Sequence, residues 1–99
     1  MWYAIITEDH DESLSKRMTA RPDHVARLKA LCDEGRLLIA GPHPAIDSAD
    51  PGDAGFTGSL AVVDFDSLTE AEAWAQADPY VAAGVVKKAV VKPFNRVLP

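Results

Sequence analysis

The stretch Arg21–Pro44, RPDHVARLKALCDEGRLLIAGPHP, decides the fold, because it reads as a helix, a glycine stop and a buried strand. Pro22 suits the first turn of a helix, where its missing N–H leaves no hydrogen bond unmade. Asp23 favours the positive end of the helix dipole. Gly35 is placed to end the helix at the C′ position. The stretch therefore predicts a helix that ends before Gly35 and a second strand over Arg36–Ala40.

Helical spacing puts a histidine among the apolar positions of this helix. At about 100° per residue, one arc of roughly 120° holds Leu31, His24, Leu28, Cys32 and Val25. This arc should face a sheet, so we expect His24 to point at the sheet or at a pocket beside it. The other interpretation is a buried neutral histidine that is hydrogen-bonded to a backbone carbonyl.

The residues before this helix allow two arrangements. In one, Ser13 caps a short helix that runs to Met18, and a break precedes the helix at Pro22. In the other, residues 13–34 form one irregular helix. The sequence does not decide between them.

Length and composition describe an ordinary globular chain. The 99 residues are 47% hydrophobic and 25% charged, which is typical of a single globular domain spanning residues 1–99. A net charge of −5 argues against nucleic acid and against an anionic membrane surface as partners. The apolar runs are far shorter than the ~20 residues needed to span a bilayer, and the first residues read as a strand and not as a signal peptide.

Cysteine and histidine usage points to neither a disulfide nor a metal. Cys32 is the single cysteine, which fits a reducing cytoplasm, and its place on the apolar arc predicts a small core residue. Together with His10 and His43 it has no metal-ligand spacing. The run Glu8–Glu12 is interpreted as a solvated acidic loop, and no glycine-rich phosphate loop is present. We expect no metal and no cofactor.

The remaining elements complete a recognisable order. Strands are predicted at Trp2–Thr7, Gly58–Asp66 and Val85–Phe94, and a second helix follows Ser67, with Glu70 completing a capping box. Asp78 ends that helix because it precedes a proline. The order is β-α-β-β-α-β, so we predict an α+β, ferredoxin-like fold with both helices on one face of a four-stranded antiparallel sheet.

Between the second and third strands, Ala45–Thr57 is a long Asp-, Gly- and Pro-rich loop. Its length suggests a flap over a site, with Phe56 as the residue that anchors it.

The strands are apolar on both faces, which two helices cannot cover. Strand three offers Leu60 and Val62 on one face and further apolar residues on the other, and strand two offers Leu37 and Ile39 on one face. Strands of this kind are covered on both sides, and an open apolar patch of several hundred Å² is larger than monomers usually tolerate. We therefore predict a homodimer in which two sheets pack face to face. The lysines of strand four place it toward an edge.

Several segments together resemble the YCII-related (YciI-like) family. Their order and spacing carry the resemblance, which covers nearly the whole chain: RPDHVARL at 21–28, GRLL at 35–38, AGP at 40–42, GFTGS at 55–59, DPYVAAG at 78–84 and VKPF at 91–94.

The resemblance implies a ferredoxin-like fold that forms a dimeric α/β barrel, an architecture shared with muconolactone isomerases. It also implies a suspected His–Asp active site whose substrate is unsettled. Relatives include an enzyme that removes chloride from a chlorinated hydroxyquinol. The histidine of the family pattern falls on His24 and its aspartate on Asp78. A fold or family does not by itself transfer a substrate.

These two residues suit acid/base chemistry. Burial and the positive end of the helix both disfavour the imidazolium, which keeps His24 available as a base. A nearby carboxylate would fix the tautomer and stabilise the cation when it forms. Asp78 is the candidate for that role, and the alternative is that it only caps the turn at Pro79.

Five further residues are candidates for substrate binding. Arg21 suits a carboxylate or phenolate, although a plain surface arginine is the simpler interpretation. Ser59 is expected to form hydrogen bonds and not to act as a nucleophile, because Gly58-Ser59-Leu60 is not a nucleophile elbow. The others are Gly41, Pro42 and Tyr80.

Three functions remain in view. The first is a small cofactor-independent enzyme, a lyase, isomerase or hydrolase that acts on a small organic acid, lactone or aromatic compound. The second is a binding or regulatory dimer that holds a metabolite in the same pocket without chemistry. The third is a structural accessory protein whose histidine is merely buried.

Overall fold

The computed structural model, which describes residues 1–99, contains one four-stranded antiparallel sheet with helices on one side. The elements follow in the order β1 (Trp2–Asp9), α1 (Leu14–Asp33), β2 (Leu37–Pro44), β3 (Phe56–Asp64), α2 (Leu68–Gln76), α3 (Pro79–Ala82) and β4 (Val86–Phe94). The strand order β2-β3-β1-β4 confirms the predicted ferredoxin-like arrangement and the edge position of β4. None of the helices combines the length and the apolar character needed to cross a membrane.

Residues 14–33 form one continuous helix, which is the second of the two arrangements that the sequence left open, so Pro22 does not open a helix. Pro22 lies inside α1 and cannot donate a hydrogen bond to the carbonyl of Met18. Met18 is 56% exposed, so α1 lies at the protein surface at this turn. Ser13 occupies the N-cap position without a side-chain capping bond. Packing against the sheet outweighs the local cost of the proline.

The predicted glycine stop of α1 is confirmed. Gly35 has a φ of +73°, the left-handed conformation that glycine adopts without a steric penalty. Its N–H donates to the carbonyl of Cys32 at 3.0 Å, and the N–H of Arg36 donates to that of Leu31 at 2.8 Å. These two bonds form a Schellman motif, which turns the chain directly into β2.

Several predicted strand ends are wrong by two or more residues. β1 continues to Asp9, into the segment predicted as an acidic loop, and β2 continues through Gly41 and Pro42 to Pro44. Pro42 is tolerated because β2 is an edge strand, where a missing N–H costs least. β3 begins at Phe56 and ends at Asp64, so the long loop is shorter than predicted.

The core lies between the helices and one face of the sheet. It contains apolar side chains from β1, α1, β3, the residue that follows β3, and α2: Tyr3, Ile5, Leu31, Val63, Phe65, Ala71 and Ala75. Cys32 and Val25 were expected on this side, but both are exposed. The helix reaches the sheet through a narrower stripe than the predicted arc, and Leu31 is its most buried apolar member.

The other face of the sheet carries apolar side chains without a helix over it. Residues paired across antiparallel strands project to the same face, and the register aligns Ile6 with Leu60 and Val90 there. A register shift after Leu37 places Leu37 and Ile39 on opposite faces, which corrects the expected alternation of β2. Ile39 is 58% exposed on the open face. The open face also includes Trp2, Ala4, Val62 and Phe94.

Candidate active site

His24 and Asp78 form a hydrogen-bonded pair between α1 and α3. Nδ1 of His24 lies 2.9 Å from Oδ1 and 2.8 Å from Oδ2 of Asp78. Their side chains are 14% and 12% exposed. Nε2 of the imidazole forms no hydrogen bond within the chain. The pair therefore uses one ring nitrogen and leaves the other for a ligand.

Asp78 is fixed by the start of α3. It is the N-cap of that helix, and its Oδ1 accepts a hydrogen bond from the N–H of Tyr80 at 2.8 Å. Burial alone would raise the pKa of Asp78. The hydrogen bonds from His24 and Tyr80, with the nearby charges of His24 and Arg27, outweigh burial and hold this pKa below its ordinary value of 3.8. Asp78 is therefore ionised near neutral pH.

An ionised carboxylate determines the tautomer of the histidine. A carboxylate accepts hydrogen bonds and cannot donate them, so Nδ1 of His24 carries the proton that Asp78 accepts. In the neutral ring, Nε2 is then the basic nitrogen. His24 lies in the middle of α1, so the prediction that the positive end of the helix dipole acts on it is wrong. The carboxylate is the group that determines which ring nitrogen carries the proton.

Tyr80 packs flat against the imidazole. The two ring centroids are 3.9 Å apart and the planes differ by 12°. Tyr80 is 2% exposed, and its burial raises the pKa of the phenol above 10.0, more than the nearby Arg17 and Arg21 lower it. The phenol is therefore protonated near neutral pH, and the tyrosine ring restricts how His24 can rotate.

The sequence-predicted binding residues lie around one cavity. The cavity has a volume of about 240 Å³ and opens between α1, β2 and β3. Its wall includes His24 with the five candidates Arg21, Gly41, Pro42, Ser59 and Tyr80. Apolar side chains such as Leu28 complete it. Asp78 does not line this cavity and reaches it only through His24.

Ser59 is bound to a neighbouring strand. Its Oγ lies 2.8 Å from Oγ1 of Thr7, and its N–H donates to the same Thr7 oxygen at 3.1 Å. Nucleophilic catalysis by serine would need a base that is hydrogen-bonded to its hydroxyl, and no histidine forms a hydrogen bond with Ser59. The geometry suits a hydrogen-bonding group in the cavity wall.

Sequence reasoning missed Arg17 and Asp9. Arg17 is 5% exposed and lines the cavity. Its Nε donates to Oδ2 of Asp9 at 2.9 Å, and its Nη2 donates to the carbonyl of Gly58 at 3.2 Å. The guanidinium carbon lies 4.7 Å from the ring centroid of Tyr80 and 5.3 Å from that of Phe56. The Asp9–Arg17 pair is thus part of the site and not part of a solvated loop.

Two signals in the sequence indicate this pair. Continuing the alternation of β1 from Tyr3 and Ile5 through Thr7 brings Asp9 to the helix-facing side. Arg17 precedes His24 by seven residues, which places both on one face of a helix. Treating residues 13–34 as one helix would have placed Arg17 at the cavity. Phe56, expected to anchor the loop, lies at the start of β3 beneath the Arg17 guanidinium.

Residues of metal-binding type do not gather anywhere in the structure. No group of three or more His, Cys, Asp or Glu side chains is arranged to hold an ion. The cavity wall itself contains one such residue, His24.

Comparison with known proteins places the chain in a family. Residues 1–95 match the YCII-related domain. The protein YciI of Escherichia coli is 60% identical over 97 residues, covering 98% of this chain and 99% of that protein. An uncharacterized protein of Haemophilus influenzae is 50% identical over the same coverage.

The fold has a solved counterpart. The dehydrochlorinase TftG of Burkholderia phenoliruptrix, which acts on 5-chloro-2-hydroxyhydroquinone, superimposes with a TM-score of 0.83 at 24% identity, covering 97% of this chain and 95% of that one. That structure is a complex with 2,5-dihydroxybenzoquinone. The likeness supports the fold, and the match over residues 1–95 shows that this chain belongs to the YCII-related domain family.

Proposed function

We propose that the protein is a small cofactor-independent enzyme that uses His24 as general base and acid and Asp78 as its orienting partner. The observation that carries this proposal is the contact of both Asp78 oxygens with Nδ1 of His24, in a ring whose Nε2 has no partner. A base needs a free nitrogen within reach of the substrate and a group that stabilises the cation formed. His24 at the cavity wall meets the first need and Asp78 the second.

The proton would move in two steps. Nε2 of His24 takes a proton from the bound substrate or, in a hydrolase, from the attacking water, and the resulting imidazolium is stabilised by the ionised Asp78. The imidazolium then returns the proton to another atom of the same substrate or to its leaving group. A lyase, an isomerase or a hydrolase of a small organic acid, lactone or aromatic compound could each use this sequence.

The structural counterpart suggests which compounds to test first. TftG acts on a chlorinated hydroxyhydroquinone and binds a dihydroxybenzoquinone. A cavity of about 240 Å³ accommodates one small ring, and its wall combines apolar side chains with a few polar groups. Hydroxylated aromatic compounds are therefore the first class, followed by small lactones and unsaturated acids.

We further propose that two chains pair through the open sheet face. Ile39 is 58%, Phe94 37% and Ile6 36% exposed there. Large apolar side chains clustered on one face mark an interaction surface, and a two-fold contact between identical faces is the commonest way to bury one. Such a contact would produce the dimeric α/β barrel that the family resemblance implies.

The alternative is a dimer that binds a metabolite in this cavity without reaction. His24→Gln distinguishes the two, because glutamine keeps the polarity and approximate size but cannot take up the proton. Wild type and H24Q are incubated with the three compound classes, and conversion is followed by proton NMR while affinity is measured by calorimetry. R96Q, which changes an exposed arginine outside the cavity, is the control.

Catalysis predicts that wild type converts at least one compound and that H24Q lowers its turnover by about 10²–10⁴-fold, with affinity nearly unchanged. R96Q should behave as wild type. A compound that binds wild type, is never converted and loses affinity in H24Q would instead establish the binding function.

A further inference from the structure

The cavity beside His24 is cationic although the chain is acidic. The protein has 15 acidic and 10 basic residues and a net charge of −5. The cavity wall nevertheless contains two arginines, Arg17 and Arg21, and no Asp or Glu. The charge of the cavity wall is thus opposite in sign to the net charge of the chain, and a positively charged wall is suited to an anionic ligand.

Arg17 is held in place and still has donors to spare. Its Nε and Nη2 contact the two oxygens of Asp9 at 2.9 and 3.4 Å, and Nη2 also donates to the carbonyl of Gly58. Its other terminal nitrogen, Nη1, is used by neither Asp9 nor Gly58. A guanidinium has five N–H donors in a fixed plane, so the Arg17 fork is rigid while the N–H groups of Nη1 remain available.

Arg21 supplies a positive charge that no acidic residue of the chain neutralises, unlike the charge of Arg17. It follows Arg17 by four residues in α1, so both side chains lie on the same face of the helix. Arg17 is paired with Asp9, whereas Arg21 is exposed and forms no ion pair within the chain. One uncompensated positive charge therefore remains at the cavity, which matches a single negative charge.

The two arginines also border a second cavity. It has a volume of about 400 Å³ and shares Arg17, Arg21 and Pro42 with the first. Its remaining wall is formed by the start of α1, the loop after β2 and Phe56, and includes Leu14, Met18, Asp50, Pro51 and Gly52. An anionic group bound by the arginines would thus lie between the His24 cavity and a partly apolar extension.

We propose that Arg17 and Arg21 form a carboxylate-binding subsite and that the ligand is a small organic monocarboxylate. Planar carboxylates match the guanidinium fork and are the anions that arginine pairs bind most directly. This inference rests on the proposed function in one respect, because it takes the reacting end of the ligand to lie at His24. The carboxylate itself is recognised by groups separate from the His24–Asp78 pair.

The test compares a charged and an uncharged ligand of the same shape. Benzoate and benzamide are titrated into ¹⁵N-labelled full-length protein, and affinity is read from amide shifts of residues around the cavity. Benzoate should bind saturably and benzamide far more weakly. Arg21→Gln should weaken benzoate binding by about tenfold, the effect of losing a charge-assisted hydrogen bond. R96Q makes the same change of net charge at an exposed position outside the cavity and should leave binding unchanged.

A second variant tests Arg17 without removing its charge. Lysine cannot both pair with Asp9 and offer a further N–H group to a ligand, so R17K should weaken benzoate binding while its melting temperature shows whether the fold is kept. Equal binding of benzoate and benzamide, wild-type benzoate affinity in R21Q, or no saturable benzoate binding would each overturn the subsite.

The outcome separates from that of the catalytic proposal. H24Q should keep its benzoate affinity, because the imidazole of His24 does not contact the benzoate carboxylate in this arrangement. A protein that loses turnover in H24Q but keeps full benzoate affinity in R21Q would retain the enzyme and lose the subsite. The reverse pattern would retain the subsite and lose the enzyme.

Discussion

Asp78 binds Nδ1 of His24 with both carboxylate oxygens, at 2.9 and 2.8 Å, although 54 residues separate the two. The same carboxylate accepts a hydrogen bond from the N–H of Tyr80 and begins α3. The two interpretations of Asp78, helix cap and histidine partner, are therefore not alternatives. Stability and positioning of the imidazole depend on one carboxylate.

Acid should weaken the fold partly through Asp78. Its pKa in the folded protein lies below the ordinary 3.8, so its stabilisation is complete above that value and is lost as the pH falls through the lowered folded pKa. We expect D78N to lose about 1–3 kcal/mol near neutral pH and to show a flatter decline in unfolding free energy below about pH 4. Urea unfolding across pH measures both.

Asp47→Asn is the control for this prediction, since it removes an exposed carboxylate that accepts no hydrogen bond. It should follow the wild-type curve. Parallel curves for wild type and D78N would contradict the assigned direction of the pKa.

The ring of Tyr80, more than its hydroxyl, should hold the site together. Tyr80 is 2% exposed and stacks on His24 with centroids 3.9 Å apart. We expect Y80A to lose about 3–5 kcal/mol of unfolding free energy, as for other buried aromatic truncations. Y80F keeps the ring and should stay close to wild type. Denaturant unfolding measures both, and an equal loss in Y80F would assign the stabilisation to the hydroxyl.

Gly58 should tolerate no side chain. A Cβ placed there would lie 1.8 Å from the carbonyl oxygen of Thr7, because β1 and β3 approach closely at this point. The carbonyl of Gly58 also accepts from Arg17, so any shift would reach the cavity. We expect G58A to cost more than about 4 kcal/mol or to prevent folding. Gly41→Ala, where nothing lies within 4 Å of the added carbon, should fold normally, and thermal unfolding compares the two.

The open sheet face should determine the oligomeric state. Ile6 aligns with Leu60 and Val90 at its centre, and a buried charge without a partner destabilises an interface strongly. We expect wild type to sediment at twice the chain mass of 10.6 kDa and I6E at the mass of one chain. Met18→Glu, an equally drastic change on α1, should remain dimeric. A wild type that sediments as a single chain at micromolar concentration would contradict the pairing.

Local chemistry accounts for the parts of the fold that the sequence determined. The cap at Ser67 and the stop at Gly35 each depend on neighbours a few residues away, and both appear in the structure, although the Glu70 carboxylate accepts from the N–H of Asp66 and not from that of Ser67. The resemblance placed His24 and Asp78 as a pair and the structure brings them into contact, while their roles stay predictions.

Tertiary structure decided what local rules could not. Pro22 lies inside α1 because packing against the sheet compensates for one missing hydrogen bond. Cys32 is exposed because the contact between helix and sheet is narrower than the apolar arc. Asp9 is buried because Arg17 pairs with it at 2.9 Å, and although strand and helix spacing place each side chain on the facing side, only the packing of α1 against β1 brings the two charges together. Contacts between distant segments set these features, since a buried charge is stable only where its partner arrives from another part of the chain.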